Sequence, residues 1–259
     1  MDLGIAGRKA IVCASSRGLG KACARALAEA GCEVVINGRD AKTLNATATE
    51  LSGITGTKIT AVVADVATPD GQKLLLAACP QPDILINNNA GPPLRDFREL
   101  TRAQMLDGVT ANMLIAIELI QKVIDPMTQR KFGRIINITS AAVKAPLAGL
   151  DLSSGARAGL TAFLAGVART VADKNVTINN ILPGAFDTDR LRGTLSKTAE
   201  SKGKSITQVA ADRIATIPAK RFGDPAEFGA AAAFLCSAQA GYITGQNLLI
   251  DGGGYPGAL

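Results

Sequence analysis

Short apolar segments alternate with longer segments of helical periodicity along most of the chain. The apolar segments are rich in Val and Ile and have the length of strands, whereas the segments between them repeat apolar positions every three or four residues. The pattern predicts seven strands, KAIVCA, EVVIN, KITAVVA, DILINN, GRIINI, VTINNIL and NLLI. It predicts helices over residues 21–30, 41–51, 71–78, 101–130, 153–171 and 225–236.

The regular alternation of strand and helix determines the expected fold class. Strands that are apolar throughout and separated by helices are typical of a parallel sheet that is covered on both faces. Right-handed crossovers then predict an α/β fold: a single doubly wound Rossmann domain over residues 1–259, with a mostly parallel seven-stranded sheet. A polar, Lys-rich insert at about residues 188–218 interrupts the alternation, and we interpret it as a substrate lid.

Composition narrows the choice of protein class. Hydrophobic residues make up 47% and charged residues 19% of the 259 residues, which is typical of a globular protein. No uninterrupted apolar run is long enough to span a membrane, and the N-terminus does not resemble a signal peptide. The five cysteines form no CxxC pair and indicate reduced, inert thiols, so we expect a cytoplasmic protein without a membrane anchor.

The net charge and the absence of histidine exclude further classes of partner and of mechanism. The net charge of +6 is spread along the chain and aromatic residues are only 3%, so we expect a solvated surface and no nucleic-acid partner. The chain contains no histidine. Mechanisms with a histidine base and most zinc sites are therefore excluded, and no metal is expected.

A glycine-rich turn follows the first strand in the segment CASSRGLGKACARALAEAG. Gly18 and Gly20 stand where the strand passes into a helix, the place where a backbone approaches a pyrophosphate and a helix N-terminus attracts it. A plain tight turn is the alternative interpretation. The strand before the turn and the helix after it favour dinucleotide binding.

The end of the second strand, VVINGRD, predicts which dinucleotide binds. Arg39 stands near the place where an acidic residue usually contacts a ribose without a 2′-phosphate, and Arg17 lies in the first turn. Two guanidinium groups suit a phosphate dianion, which predicts NADP(H). The alternative is that both arginines are ordinary surface charges. The acidic Asp40 beside Arg39 counts against a phosphate site.

At this point the sequence resembles the short-chain dehydrogenase/reductase family along essentially its whole length. CASSRGLG is similar to its TGxxxGxG loop, with Ala14 at the first glycine. ADV at 64–66, NNAG at 88–91, PGAFDT at 183–188 and GYITGQNLLIDGG near the C-terminus resemble further family motifs in the same order. Among its members, the reductases that act on acyl-carrier-protein substrates look most similar.

The resemblance implies a set of site residues. Ser140 matches the catalytic serine and Asn112 the structural and catalytic asparagine. The residues implied in cofactor binding are Ala14, Ser16, Arg17, Gly18, Leu19, Gly20, Arg39, Asp65, Val66, Asn89, Ala90, Gly91, Arg157, Pro183, Gly184, Phe186 and Thr188. Lys131 and Lys174 match basic positions that such enzymes use to dock an acidic carrier, although both are also ordinary lysines at helix ends.

The sequence departs from the family at its Tyr-x-x-x-Lys motif. Counting thirteen residues from Ser140, as the family spacing requires, leads to Ser153, and four more lead to Arg157. Serine is a much weaker acid than a phenol and its hydroxyl reaches less far, and arginine does not release its proton in a protein. Arg157 can still bind the nicotinamide ribose, as the family lysine does.

Another residue must then donate the proton during reduction. We expect Lys144, four residues after Ser140, to fill this role, with an exposed loop lysine as the alternative. Tyr255 in the C-terminal tail is a second candidate, because in tetramers of this family the tail can approach a neighbouring subunit. Asp187, Asp189 and Arg190 border the lid, and capping its first turn is an ordinary role for them.

Two functions remain open. The first is an NADP(H)-dependent oxidoreductase that reduces a small-molecule or carrier-linked carbonyl substrate, such as a 3-oxoacyl thioester or another ketone, with an atypical proton donor. The second is a weakly active or inactive NADPH-binding protein that serves as a sensor or scaffold. For either, the apolar helices over 101–130 and 153–171 predict a homotetramer or homodimer.

Overall fold

A computed structural model describes residues 2–91 and 94–257 of the chain. In this part, seven strands form one parallel sheet in the order β3-β2-β1-β4-β5-β6-β7. The strands are β1 (Lys9–Val12), β2 (Glu33–Gly38), β3 (Ile59–Val63), β4 (Ile84–Asn87), β5 (Gly133–Ile138), β6 (Val176–Pro183) and β7 (Asn247–Ile250). The predicted doubly wound sheet is confirmed.

Helices cover both faces of this sheet. They are α1 (Gly18–Glu29), α2 (Ala41–Thr55), α3 (Pro69–Ala78), α4 (Arg102–Val109), α5 (Ile115–Gln129), α6 (Asp151–Val171), α7 (Asp189–Lys202), α8 (Ile206–Thr216) and α9 (Pro225–Cys236). Because successive residues of a strand point to opposite faces, Val12 packs with α1, α2 and α9, whereas Ile11 packs with α3, α5 and α6. The five cysteines lie buried and unpaired.

The predicted helix over 101–130 is interrupted in its middle. Residues Thr110–Leu114 form a π-helical turn that joins α4 to α5. The whole run, Arg102–Gln129, is long and apolar enough to cross a membrane on length and composition, a property shared by core helices. Its polar side chains Glu118 and Lys122 both bond Gln72 of α3, and Leu119 and other apolar residues pack on the sheet.

A row of asparagine side chains crosses four neighbouring strands. Asn87 Nδ2 donates to Asn137 Oδ1, Asn137 Nδ2 to Asn180 Oδ1, and Asn180 Nδ2 to Asn247 Oδ1, at 2.8 to 3.1 Å. These residues are also paired in the strand register. A shift of one strand by one residue would leave buried amides without partners, so the row stabilises this register.

The insert at 188–218 folds into α7 and α8 rather than an irregular loop. Thr188 caps the first turn of α7, and Ser205 and Gln208 form a capping box for α8. Leu195, Ala199 and Val209 form a hydrophobic cluster separate from the two that cover the sheet. The two helices therefore pack mainly on each other.

Candidate active site

The site lies at the carboxyl edge of the sheet, where β1 and β4 are neighbours. Helices after β1 and β4 leave toward opposite faces, and the crevice between them is where doubly wound sheets bind ligands. A small cavity at this point is lined by side chains from three strand ends and two helices, including Asn88, Asn112, Ile138 and Arg157.

The turn between β1 and α1 brings its backbone close to the rest of the site. A Cβ on Gly20 would lie 2.4 Å from the carbonyl oxygen of Ala14, so only glycine fits there. Gly18 has φ of +58°, and a Cβ on it would lie 3.7 Å from a methyl of Thr188. Ala14 itself has φ of +45°, which glycine adopts at lower cost.

The N-terminus of α1 has no side-chain cap. Its N-cap residue, Arg17, makes no capping bond, and the first turn contains no acidic residue. By contrast, side chains of Asp40, Thr68 and Asp224 cap α2, α3 and α9. The first amide groups of α1 and the positive end of its dipole thus remain available to an anionic ligand.

Arg39 follows the carboxyl end of β2, whereas Arg17 lies in the turn after β1, directly before α1. Arg39 lies 3.8 Å from Asp65, and both side chains are largely exposed. Asp40 accepts a hydrogen bond from the Thr43 backbone at 2.8 Å, which makes it the cap of α2. Hydrogen bonds from the Thr43 side chain and then from its backbone, with a smaller contribution from the charge of Arg17, lower the pKa of Asp40. Asp40 therefore serves as the N-cap of α2 and remains an ionised carboxylate at neutral pH.

The segments after β4 and β6 face this turn. Asn88 Nδ2 donates to the Ala14 carbonyl, and Asn89 Nδ2 donates to the Ala111 carbonyl, so β1, β4 and the π turn are tied together. The ring of Phe186 is buried and packs edge-on against Phe228 at 5.3 Å. Phe186 therefore anchors the segment that carries Thr188.

Ser140 caps a short turn directly after β5. Its Oγ accepts a hydrogen bond from the Ala142 backbone at 3.1 Å, so its own proton is not used in that bond. The hydroxyl is half-buried, and it is a donor that can polarise a substrate oxygen.

Lys144 ends the same turn and contacts the C-terminal tail. Its Nζ lies 5.6 Å from the centroid of the Tyr255 ring. Asp251 Oδ2 accepts from the Tyr255 backbone at 2.7 Å, which turns the tail back over its own subunit. Tyr255 thus lies beside Lys144 within one chain, a placement that the sequence did not indicate.

Arg157 is the most deeply buried cation of the site. Its Nη1 donates to the Ile138 carbonyl at 2.6 Å and its Nε to Ser153 Oγ at 3.2 Å. No carboxylate of the described residues lies within ion-pair distance of it. Burial, and to a smaller extent the charge of Arg190, lower the pKa of Arg157 to about 10, so it stays charged at neutral pH.

Asn112 lies in the π turn next to Arg157. Its Nδ2 donates to the Gly108 carbonyl at 3.1 Å, while its buried Oδ1 has no partner among the described residues. π turns inside helices often mark functional positions. The helical periodicity of 101–130 predicts one continuous helix and does not indicate this turn.

Arg190 is a site residue that the sequence did not separate from its neighbours. Asp187 and Asp189, which precede it, both pair with Arg192, at 3.0 and 3.1 Å. Arg190 instead reaches Gly91: a Cβ on that glycine would lie 2.9 Å from Arg190 Nη2. Two aspartates followed by two arginines in one short segment do not by themselves indicate which arginine the carboxylates bind.

The two lysines that resemble carrier-docking positions lie elsewhere. Lys131 and Lys174 precede β5 and β6, so they stand at the amino edge of the sheet, opposite the site. Lys174 is also paired with Asp173.

The chain is similar to known reductases over nearly its whole length. Residues 13–254 match the family described as enoyl-(acyl carrier protein) reductase. The chain is 31% identical over 263 residues to the 3-oxoacyl-(acyl-carrier-protein) reductase of Vibrio cholerae, covering 98% of this chain and 99% of that protein. It is 33% identical over 256 residues to an NADPH-dependent reductase of Bacillus subtilis, covering 95% and 97% of the two chains.

A solved structure extends the similarity to the fold. L-sorbose reductase from Gluconobacter frateurii, in complex with NADPH and L-sorbose, superimposes with a TM-score of 0.92 and is 28% identical. The match covers 97% of this chain and 98% of that one.

Proposed function

Because the chain belongs to the short-chain dehydrogenase/reductase family, we propose that it is an NADP(H)-dependent oxidoreductase that reduces a carbonyl group to an alcohol. The observation that carries the proposal is Ser140, a half-buried hydroxyl whose proton is free to bind a substrate oxygen, at the same strand end as the buried Arg157. Oxidation of NADPH in the presence of ketones, 3-oxoacyl thioesters and imines tests it. Absence of turnover with every compound would contradict it.

The cofactor fits the residues present at the carboxyl edge. The turn with Gly18 and Gly20 and the uncapped N-terminus of α1 suit a pyrophosphate, and Arg157 is placed to donate to a ribose hydroxyl. When bound, the reduced nicotinamide supplies a hydride to the carbonyl carbon. Ser140 then holds the developing oxyanion, while Asn112 orders the π turn behind Arg157.

Ser153 and Arg157 are proposed to replace the tyrosine and lysine of the family motif. Both lie on α6, one turn apart, and Arg157 donates to Ser153 Oγ. Since arginine does not release its proton and serine is a weak acid, neither side chain suits general acid catalysis. The pair therefore binds and orients, and the proton comes from another group.

Lys144 is the proposed proton donor. It lies at the end of the turn that Ser140 caps, is half-buried, and its ammonium faces the ring of Tyr255. As the hydride reaches carbon, the carbonyl oxygen takes a proton from the Lys144 ammonium, which leaves a neutral amine that water reprotonates.

A second candidate function is an NADPH-binding protein with little activity. The Ser153 and Arg157 pair favours it, since it lacks a strong acid, whereas Ser140 and Asn112 would then have no catalytic role. Tight NADPH binding without turnover of any compound in the panel would favour this function.

NADPH is expected to bind more tightly than NADH. Arg17 and Arg39 stand near the end of β2, and Asp40 serves as the N-cap of α2. Both guanidinium groups can therefore bind a 2′-phosphate. Calorimetric titration with both cofactors measures the preference, and Arg39→Asp should abolish most of it. Equal affinities for the two cofactors, or tighter NADH, would refute the expectation.

We also propose that the protein is a homotetramer or homodimer. Several large apolar side chains on the helices between residues 102 and 171 are exposed: Met105, Leu106, Leu114 and Phe163. A second copy of the chain would remove this surface from water. Sedimentation velocity at micromolar concentration should therefore give a mass of two or four chains, and a monomer alone would contradict the proposal.

A further inference from the structure

We propose that the carbonyl substrate carries a carboxylate, which Arg190 binds next to Arg157. This inference rests on the proposed function and adds a substrate class to it, oxo acids rather than neutral ketones or thioesters. It depends on the place of Arg190, on its lack of an acidic partner, and on the cavity beside it.

Arg190 lies against the site although two acidic residues precede it in the sequence. Asp187 and Asp189 both bind Arg192 instead. The Arg190 guanidinium lies against Gly91, with Nη1 and Nη2 at 3.4 and 2.9 Å from the position of a Cβ on that residue. Among the described residues, no side chain or carbonyl accepts a hydrogen bond from it. The Arg190 side chain is exposed, so its donors are open to a ligand beside Gly91.

A second cation stands close enough to be affected by Arg190. Arg157 is buried, without a carboxylate partner among the described residues, and Arg190 contributes to its lowered pKa. Arg157 is buried and Arg190 is exposed at the mouth of the same crevice, and their two positive charges together favour an anion there. Guanidinium groups bind a carboxylate through two parallel hydrogen bonds, which gives orientation as well as affinity.

The lysines of the lid do not provide the same charge. Lys197 and Lys202 are exposed on α7, and Lys204 is paired with Asp212 at 2.7 Å. The cationic character of the site thus comes from the arginines of the crevice and not from the Lys-rich surface that the sequence displays.

The adjoining cavity has the size of a small molecule. It measures about 260 Å³ and is lined by Gly91, Arg95, Gln104, Asp107 and Leu152, among others. Arg95 and Asp107 are both exposed, so water screens their opposite charges alike and neither decides the charge of the cavity. A compact oxo acid fits this volume better than a long acyl chain.

Calorimetry of the NADP⁺-saturated protein tests the inference without turnover. The probes are 2-oxo and 3-oxo acids of different lengths, each paired with its neutral methyl ester. At least one acid should bind roughly 10- to 100-fold more tightly than its ester. Arg190→Met should remove this difference and leave the affinity for NADP⁺ unchanged. Lys197→Met, which removes an exposed charge from the same helix, should preserve the difference.

Three results would overturn the inference: no acid binds, acid and ester bind equally, or Arg190→Met weakens NADP⁺ and not the acid. The last result would assign Arg190 to the cofactor. Failure of the proposed function looks different, since Arg190-dependent binding of an acid without NADPH oxidation would retain the anion site and reject the reductase. Turnover of neutral ketones without preference for acids would instead retain the reductase and reject the anion site.

Discussion

Replacing Ser140 by alanine is expected to lower kcat for carbonyl reduction by about 10²- to 10³-fold, because it removes a donor that is oriented toward the developing oxyanion. The Ser140 hydroxyl accepts from the Ala142 backbone, and this bond orients it. Steady-state oxidation of NADPH with the best substrate of the panel measures the effect. Binding of NADPH by the variant should remain unchanged, which separates catalysis from folding.

Ser153→Ala is the matched control for this experiment. Ser153 is buried, and its Oγ accepts from Arg157 at 3.2 Å, so its loss removes one internal hydrogen bond. Its hydroxyl is too short and too weakly acidic to replace a phenol, and kcat should change much less than in Ser140→Ala. If both variants lose activity equally, α6 still carries the proton donor and our assignment is wrong.

Lys144→Met completes this series. If the ammonium beside Tyr255 supplies the proton, the variant should lose about 10²- to 10⁴-fold in rate, the usual contribution of a general acid. A rate that falls no further than that of Ser153→Ala would assign the proton to another group.

The double variant Ser153→Tyr/Arg157→Lys is expected to raise kcat by about 10²- to 10⁴-fold. A phenol at position 153 extends several Å further than the serine hydroxyl. An ammonium at position 157 favours its ionised form and lowers its pKa, so that it can act as general acid near neutral pH. The ammonium can also donate to the Ile138 carbonyl, which now accepts from Arg157 at 2.6 Å.

The control for this gain is Ser153→Phe/Arg157→Lys. Phenylalanine has nearly the volume of tyrosine and lacks the hydroxyl, so it tests whether shape alone changes the rate. Thermal denaturation and NADPH titration of both variants verify folding and cofactor binding. An equal gain in the two variants, or no gain in a folded and NADPH-binding tyrosine variant, would contradict our interpretation of the two positions.

The fold could be read from the sequence because its signals are local. Segments such as EVVIN and GRIINI are apolar throughout, and an element that is buried on both faces requires this composition wherever it stands in the chain. The prediction placed all seven strands, although α1, α3 and α6 begin two or three residues before the predicted starts. Capping and hydrogen bonding, which periodicity does not describe, determine those ends.

Some site residues could be predicted from the sequence for the same reason. Residues that follow parallel strands meet at the carboxyl edge of the sheet, so Gly18, Asn89, Ser140 and Thr188 belong to one site as soon as the strands are assigned. The glycines of the first turn also have a local cause, since a Cβ on Gly20 would overlap the carbonyl oxygen of Ala14, six residues earlier in the chain.

The sequence by itself therefore determined the order of elements, the edge at which the chemistry takes place and the absence of histidine chemistry. Only the tertiary structure decided that Asp187 and Asp189 bind Arg192 and leave Arg190 to the crevice, that Tyr255 folds back onto Lys144, and that Lys131 and Lys174 stand at the opposite edge. The physical reason is range: periodicity and capping act over one or two turns, whereas these contacts join segments that meet only after the sheet has formed.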